Sequence, residues 1–478
     1  MDEVTSTSAT QAFVQAVHER LGSRGLVTDE AELAPWLVDW RGRYHGAAAA
    51  MIQPGSTAEV AAVVALAAEH RVPLVAQGGN SGMVGGATPD GSGRAVLLSL
   101  RRMNSIRSVS PHLAVAEAGV ILSNLHDAVA AQGRRFPLTL GARGTATLGG
   151  LASTNAGGTQ VLRFGTMRQL VRGVEAVLAD GQVHDGLAAL KKDNRGYNLD
   201  QLLIGSEGTL GVITAVALRL VPAVTERAVA WVGVASPQHG LDLLRLLEAA
   251  TPTIEGFEIL PADSLERVLQ HIPGSRAPLT GQHAWHLLVE ATASDPATPS
   301  VVTLLQLLLE EALVAGLIED ATLAASEAQA EAFWRIRDSI SEAERACGPA
   351  AQHDIAVPVD SMPRFMVEAA AAVQAAFPGS HASGFGHLGD GNVHFHVRAP
   401  AGAGLEWIED EAPRASALVH DLVTAAGGTI SAEHGIGQMK IDELQRLTSP
   451  GRMTAMRAIK AALDPLGILN PGKLLLPG

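Results

Sequence analysis

The chain of 478 residues contains very little cysteine, and this absence limits the chemistry that it can use. Its one cysteine, Cys347, cannot form a disulfide within the chain or build a thiolate metal cluster. We therefore expect a reducing environment and interpret Cys347 as a small packing residue in a helix. No apolar run approaches the roughly 18 residues of a membrane-spanning helix, and the polar N-terminus lacks the pattern of a signal peptide. These absences predict a cytoplasmic protein.

Basic residues are also few, since 35 Lys and Arg stand against 49 Asp and Glu and give a formal net charge of −14. No Lys/Arg stripe offsets this balance, so nucleic acid is not an expected partner. Hydrophobic residues make up 47% of the chain and charged residues 18%, which is typical of a globular protein with large cores. The length predicts two or three domains.

A stretch near residue 390 combines a tight turn with three histidines. Asp390-Gly391 is a strong turn signal, and the strand after it alternates between apolar residues and His394 and His396. These two imidazoles are expected on the face opposite the core. A hairpin would fold His387 back beside His394, and the pair would offer two neutral imidazoles to a divalent metal ion.

A third metal ligand is expected from the glycine-rich residues 431–437, where Glu433 and His434 are adjacent. Two histidines and one glutamate leave positions open on the metal, which is typical of a catalytic site. The chain has no HExxH motif, however. The residues alone therefore leave a second interpretation open, in which the histidines face water beside an unrelated loop.

Three glycine-rich stretches in the first half of the chain suggest a long cofactor. A capping box at Ser56 and Glu59, a helix and a short apolar strand lead into residues 77–86. Glycines at this density let backbone N–H groups surround an anion, although the spacing fits neither a Rossmann nor a Walker loop. Residues 141–158 and 205–211 repeat small and hydroxyl side chains that suit an extended polar ligand. Taken alone, the first stretch is equally well explained as a flexible surface loop.

The second half of the chain predicts a domain of mixed α and β structure with longer helices, at residues 301–315, 327–345, 411–426 and 451–463. Arg337 and Ser341 are four residues apart and are expected to share a helix face with Trp334. An Arg held in this way can bind a carboxylate through two parallel hydrogen bonds. A solvated charge near Glu331 or Glu344 is the alternative.

Six motifs, in order along nearly the whole chain, resemble the FAD-dependent D-2-hydroxy-acid dehydrogenases. This family includes D-2-hydroxyglutarate dehydrogenase, D-lactate dehydrogenase and the glycolate oxidase flavin subunit, within the vanillyl-alcohol-oxidase / p-cresol methylhydroxylase superfamily. The motifs are the loop at 77–86, GARGTATLGGLASTNAGG at 141–158 with Arg163-Phe164-Gly165 after it, GSEGTLGVIT at 205–214, GHLGDGNVHFHV at 386–397, SAEHGIG at 431–437 and NPGK at 470–473.

The resemblance implies an α+β fold with a two-subdomain FAD-binding domain of the p-cresol methylhydroxylase type. A cap domain with an antiparallel sheet flanked by helices would complete it. The implied boundaries are an N-terminal helical segment at 1–47, the FAD-binding domain at 48–222, a cap domain carrying the metal hairpin at 223–430, and a C-terminal segment at 431–478 that returns to the FAD-binding domain.

The resemblance also implies the roles of individual residues. The FAD contacts would be Gly78, Gly79, Asn80, Ser81, Gly82, Gly141, Thr145, Gly149, Ser153, Thr154, Gly158 and Asn470. The FAD is expected to be non-covalent, because the loop at 78–82 lacks the His or Cys that attaches the flavin in some relatives. The ligands of a divalent metal, zinc or manganese, would be His387, His394 and Glu433. His434 would be the general base and Arg337 the clamp on the substrate carboxylate, with Ser341 and His396 as further catalytic positions.

The implied reaction oxidises an (R)-2-hydroxy acid to the 2-oxo acid by hydride transfer to flavin N5, while the metal and His434 activate the hydroxyl group. Gln352 stands where the D-2-hydroxyglutarate enzymes carry a Lys for the distal carboxylate; Ser341 replaces a Thr and His396 an Asn. Losing that Lys removes a charge-assisted hydrogen bond worth roughly 1.5–3 kcal/mol. D-Lactate or a longer neutral or aromatic (R)-2-hydroxy acid is therefore as good a candidate as D-2-hydroxyglutarate, unless His353 or His396 supplies the missing cation.

The expected electron acceptor is an electron-transfer flavoprotein or a quinone, and a homodimer is considered as the oligomeric state. Three other functions stay open at this point. They are an oxidase that uses molecular oxygen, a metal-dependent hydrolase or lyase without flavin, and an electron-transfer subunit with a vestigial metal site.

Overall fold

The computed structural model describes residues 2–295 and 299–476. Met1 and residues 477–478, the outermost residues of the predicted terminal segments, lie outside the described residues. The strands are β1 Leu26–Val27, β2 Met51–Ile52, β3 Leu74–Gln77, β4 Val96–Ser99, β5 Ile106–Val109, β6 Leu113–Glu117, β7 Arg134–Arg135, β8 Val171–Val177, β9 Val183–Asp185, β10 Val212–Arg219, β11 Val221–Pro222, β12 Glu226–Val234, β13 Ile254–Pro261, β14 Trp285–Ala293, β15 Asp320–Leu323, β16 Ala350–Ala356, β17 His381–His387 and β18 Asn392–Arg398.

The α-helices are α1 Asp2–Leu21, α2 Glu30–Leu33, α3 Thr57–His70, α4 Leu122–Ala130, α5 Leu148–Ser153, α6 Val161–Phe164, α7 Met167–Leu170, α8 Leu199–Leu203, α9 Pro237–Ala250, α10 Ala262–His271, α11 Val301–Val314, α12 Glu327–Asp338, α13 Ile340–Ala346, α14 Met362–Ala376, α15 Glu406–Asp410, α16 Ala412–Ala425, α17 Ile441–Leu447 and α18 Pro450–Leu463. Within the described ranges, every helix is too short or too polar to span a lipid bilayer.

Contacts within the chain divide it into two compact units. The first unit comprises Met1–Gly157, Gly165–Pro222 and Glu433–Gly478, and the second unit comprises Gly158–Phe164 and Ala223–Ala432. The sequence placed residues 158–164 in the FAD-binding domain, whereas their contacts group them with the second unit. The cause is visible at Arg163, whose Nη1 lies 3.1 Å from the buried carboxylate of Glu255.

The first unit contains a four-stranded sheet of order β1-β2-β4-β3 and a five-stranded sheet of order β5-β6-β10-β8-β9. Strands β2, β3 and β4 are parallel, as expected for the α/β unit predicted near Ser56. Ser56 caps α3 by accepting a hydrogen bond from the backbone N–H of Glu59, and the buried face of α3 is formed by Val60, Val63, Val64 and Ala67. This i, i+3, i+4, i+7 spacing buries one helix face in the core.

The C-terminal segment extends the four-stranded sheet at β3. The N–H of Leu74 donates to the carbonyl of Ile468, and the N–H of Asn470 donates to the carbonyl of Leu74, each at 2.8 Å. Asn470 therefore lies beside the strand that leads into the glycine-rich loop at 77–86.

The second unit is built on a seven-stranded sheet of order β15-β12-β14-β13-β17-β18-β16, and all its pairings are antiparallel. Helices α10, α12 and α13 pack on one face, around a core that includes Trp231, Phe333 and Phe385. Helices α9, α14 and α16 also contact its strands. The predicted antiparallel sheet flanked by helices is confirmed.

The single helix predicted over residues 327–345 is wrong. Helix α12 ends at Asp338 and α13 begins at Ile340, with Ser339 at the junction. Ser341 therefore lies on α13 and is exposed, so it does not stand four residues after Arg337 on one continuous helix. The apolar residues keep a helical spacing across Ser339, so the sequence pattern does not show that one helix ends there and another begins.

Candidate active site

The predicted histidine hairpin is confirmed in the second unit. Strand β17 ends at His387, and β18 pairs with it so that Phe385 stands opposite His394. The ring centroids of His387 and His394 are 5.5 Å apart. A tight turn followed by strict alternation thus placed two imidazoles side by side on one face of the sheet.

A buried carboxylate that the sequence did not reveal holds this hairpin. Strand β13 pairs with β17 so that Glu258 stands directly opposite His387. The Oε1 atom of Glu258 lies 2.7 Å from Nδ1 of His387, and Glu258 is 1% exposed. Burial alone lowers the pKa of His387, but the charge of Glu258 outweighs it and raises that pKa to about 9.

Arg337 completes this group. Its Nε donates to Oε2 of Glu258 at 2.7 Å, and its Nη2 lies 3.2 Å from Nε2 of His387. Burial raises the pKa of Glu258, yet Arg337 and His387 more than offset this and lower it. The predicted carboxylate clamp is therefore a guanidinium fixed by a carboxylate and in contact with His387, one of the predicted metal ligands.

The donor set fits part of a metal site. A carboxylate bonded to one imidazole nitrogen is the arrangement that orients metal-ligating histidines, and Glu258 bears this relation to His387. Among residues 2–295 and 299–476, however, no group of three or more His, Cys, Asp or Glu side chains has the geometry of a metal site. Glu433 belongs to the first unit, so its inclusion rests on the sequence alone.

His396 belongs to a different cluster from His394. It is 6% exposed, and its Nδ1 lies 3.8 Å from the carboxylate of Glu344. Glu344 is also bound by Arg267 and Arg398. As predicted, His396 shares a face of the sheet with His394, since Phe385 contacts both imidazoles. The expectation that this face lies away from the core is wrong, because Phe385 belongs to a hydrophobic core and Glu344 of α13 lies beside His396.

Gln352, which the sequence predicted to replace a Lys, and its neighbour His353 have different surroundings. Gln352 on β16 stands opposite His396 on β18. His353 lies elsewhere, since its Nδ1 is 2.9 Å from the carbonyl of Phe395 and its Nε2 is 2.9 Å from Oγ of Ser416. Both ring nitrogens of His353 are thus engaged within the fold, which argues against its replacing the Lys.

The first unit contains a cavity of about 340 Å³ between the first two glycine-rich stretches. Two of the predicted FAD contacts, Gly79 and Thr145, line it. The full lining is Trp36, Gly79, Arg101, Asn104, Gly119, Ile121, Asn124, Gly144, Thr145 and Thr147. A cleft that combines apolar side chains such as Trp36 and Ile121 with amide and hydroxyl groups is suited to part of an extended cofactor.

The glycines are required where these stretches meet. A Cβ atom on Gly79 would lie 1.8 Å from the carbonyl oxygen of Thr145, and one on Gly78 would lie 2.1 Å from Oγ1 of Thr147. Only glycine permits this approach. Among the described residues, the buried Oγ1 of Thr147 has no hydrogen-bond partner, as expected of an atom that a bound cofactor satisfies. The residues therefore fit FAD.

Apart from Asn470, the other predicted FAD contacts lie in the two glycine-rich stretches at residues 77–86 and 141–158. Gly82 lies in the loop at 77–86, Gly149 lies in α5 next to Ala118, and Asn470 donates to the carbonyl of Gly86 at 2.9 Å. Asn80, Ser81 and Gly141 lie in loops, and Ser153 and Thr154 end α5. Gly158 belongs to the second unit.

Sequence reasoning did not identify Trp36, Arg101, Asn104, Asn124 or Glu258. The first four lie outside the glycine-rich stretches, and nothing in their local pattern marks them. Glu258 lies in the mostly apolar strand IEGFEILP. A charged residue in such a strand is the one feature of the sequence that could have identified it, because charged side chains are rarely fully buried without a partner.

Comparisons with known proteins agree with this architecture. The family model described as FAD linked oxidases, C-terminal domain, matches residues 224–474, and the FAD binding domain model matches residues 48–186. The chain is 37% identical over 464 residues to the mitochondrial D-2-hydroxyglutarate dehydrogenase of Bos taurus, covering 96% of this chain and 83% of that protein. It is 34% identical over 471 residues to the D-2-hydroxyglutarate dehydrogenase of Xanthomonas citri pv. viticola, covering 97% of each.

Among solved structures, p-cresol methylhydroxylase with substrate bound has the same fold, with a TM-score of 0.74 at 18% identity over 98% of this chain and 97% of that one. The predicted FAD-binding fold is thus confirmed. The chain belongs to the FAD-dependent D-2-hydroxy-acid dehydrogenases.

Proposed function

We propose that this dehydrogenase oxidises an (R)-2-hydroxy acid to the 2-oxo acid at the group formed by Glu258, Arg337, His387 and His394. The observation that carries the proposal is the fixed guanidinium of Arg337 beside two neighbouring imidazoles, in a chain that also has an FAD-binding domain. The alternative of a hydrolase or lyase without flavin is set aside because the chain has an FAD-binding domain.

Each residue has a distinct role in this proposal. Arg337 binds the substrate carboxylate and orients the C2–H bond, because a planar guanidinium matches a carboxylate with two parallel bonds. His434 accepts the hydroxyl proton, because an imidazole side chain can act as a general base near neutral pH. FAD, held non-covalently by the first unit, supplies the hydride acceptor at N5.

The metal is part of the proposal as well. His387 and His394 would hold a divalent ion, zinc or manganese, and Glu258 would orient His387 through its Nδ1. The ion would supply Lewis acidity toward the hydroxyl group of the substrate. Glu433 as the third ligand remains a prediction from the sequence.

D-2-Hydroxyglutarate is the first substrate to test, because relatives at 34–37% identity carry its name. Gln352 in place of the expected Lys keeps D-lactate and other (R)-2-hydroxy acids in the comparison. His396 faces the carboxylate of Glu344 at 3.8 Å, which disfavours it as the replacement for that Lys.

The test is the visible spectrum of the purified protein, followed anaerobically while D-lactate, D-malate, D-2-hydroxyglutarate and D-mandelate are added in turn. We expect one D-acid to bleach the flavin band, its L-enantiomer to leave it unchanged, and a chelator to abolish the bleaching. A flavin that no D-acid bleaches would refute the substrate class. Bleaching that a chelator does not affect would refute the metal.

Three further predictions concern the surroundings of the enzyme. The electron acceptor is proposed to be an electron-transfer flavoprotein or a quinone, and stoichiometric peroxide on re-oxidation in air would indicate an oxidase instead. A cytoplasmic location and a homodimer also remain predictions, and the Bos taurus relative is named as mitochondrial.

A further inference from the structure

Glu207 lies at the centre of the first unit in an unusual conformation. Its φ of +53° is in the left-handed region, and it is 8% exposed. A non-glycine residue in this region costs about 1 kcal/mol or more and persists where the surrounding structure determines it. Burial raises the pKa of its carboxyl group against the opposing effect of two backbone N–H donors.

Those two donors belong to the loop that carries His434. Oε1 of Glu207 accepts from the N–H of Ile436 at 2.8 Å, and Oε2 accepts from the N–H of Gly437 at 2.7 Å. The loop wraps closely around the carboxylate, because a Cβ atom on Gly435 would lie 2.8 Å from Oε1. The backbone directly after His434 is therefore fixed to one side chain.

The backbone of Glu207 also forms hydrogen bonds with two of the predicted FAD contacts, Ser153 and Asn470. Its N–H donates to the carbonyl of Ser153 at 2.8 Å, and its carbonyl accepts from Nδ2 of Asn470 at 2.6 Å. Asn470 also donates to Gly86 at the end of the first glycine-rich loop. Stretches from four distant parts of the sequence thus meet at one residue.

We propose that Glu207 is a positioning residue that sets the location of His434 and Glu433 relative to the FAD-binding stretches. This rests on the proposed function, in which His434 accepts the hydroxyl proton. Glu207 acts through the backbone of residues 436–437 and does not contact the reacting atoms. A misplacement of about 1 Å in a catalytic group is sufficient to lower turnover about 100-fold.

The test compares Glu207→Gln with Glu175→Gln. In Glu207→Gln an NH2 group replaces one acceptor and faces a backbone N–H, so one of the two bonds is lost. Glu175 is the control, because it is a half-buried carboxylate of the first unit with several hydrogen bonds of its own, from Arg107, Thr57 and Thr214. Two quantities are measured for each protein: hydrogen–deuterium exchange of the amides of residues 436–437, and kcat and KM with the D-acid that reduces the flavin.

We expect Glu207→Gln to exchange these amides at least about 10-fold faster and to lower kcat about 10- to 100-fold. KM should stay within about twofold and the flavin spectrum should be retained, because the substitution leaves Arg337 and the predicted FAD contacts unchanged. Glu175→Gln should alter neither the exchange nor kcat. If Glu207→Gln does not fold, Gly435→Ala displaces the loop from the opposite side and should give the same pattern.

Unchanged exchange in Glu207→Gln would overturn the proposal, and so would faster exchange with unchanged kcat. A wild-type protein that no D-acid reduces would instead refute the proposed function. In that case the exchange measurement still decides whether Glu207 holds the loop, so the two failures are distinguishable.

Discussion

Replacing Arg337 by Lys tests the substrate clamp most directly. The guanidinium spans two partners at once, with Nε 2.7 Å from Glu258 and Nη2 3.2 Å from Nε2 of His387. An ammonium group is a single point charge and cannot reproduce this planar fork. It still neutralises Glu258, so the second unit should fold. Arg337→Ala would instead leave the buried carboxylate of Glu258 with His387 as its remaining charged partner, and breaking a buried ion pair costs about 3–5 kcal/mol of stability.

The expected loss is one charge-assisted hydrogen bond to the substrate carboxylate. Such a bond contributes about 1.5–3 kcal/mol, which corresponds to a roughly 10- to 150-fold weaker Kd for the (R)-2-hydroxy acid. The flavin spectrum should be unchanged, because Arg337 is not among the predicted FAD contacts.

The assay is an anaerobic titration of flavin bleaching, with Arg227→Lys as the matched control. Arg227 is a comparably placed arginine of the second unit, and its guanidinium lies 2.8 Å from Glu290 and 2.7 Å from Glu331. Arg227→Lys should leave the substrate Kd within about twofold, in the range of experimental scatter. Equal Kd values for wild type and Arg337→Lys, or equal losses in both variants, would refute the clamp.

Three other predictions follow from the same contacts. Gly79→Ala should abolish FAD retention on purification, because the added Cβ would lie 1.8 Å from the carbonyl oxygen of Thr145. The control Gly91→Ala should retain FAD, because its Cβ would have no atom within 4 Å. A yellow Gly79→Ala protein would contradict this prediction. Burial by itself raises the pKa of Glu344, but its histidine and arginine partners outweigh burial and lower it from 4.5 to about 2. Glu344→Gln should therefore cost about 3 kcal/mol of unfolding free energy at pH 7, and the difference from wild type should persist above pH 4.5 and disappear as the pH falls through about 2; a pH-independent difference in chemical denaturation would count against it. Acid denaturation should release all the flavin into the supernatant, and flavin that stays with the precipitate would indicate a covalent link.

The parts of the site that the sequence predicted depend on neighbouring residues. The pairing of His387 with His394 followed from one turn and one alternating strand, because side chains two residues apart share a face of a strand. The capping of α3 by Ser56 and the contact stretch around Gly79 are also local. These features are fixed by steric limits on a few consecutive residues, so they can be read without knowing the fold.

The remaining features depend on which distant segments the chain brings together. Glu258 meets His387 across 129 positions, and Glu207 meets Gly437 across 230. The break at Ser339 and the burial of His396 beneath α13 likewise depend on packing. Strand order and long-range contacts are decided by burial of the whole apolar surface, to which each residue contributes little. The sequence by itself thus determined the cofactor loops and the histidine hairpin, while only the tertiary structure decided which buried carboxylates hold them in place.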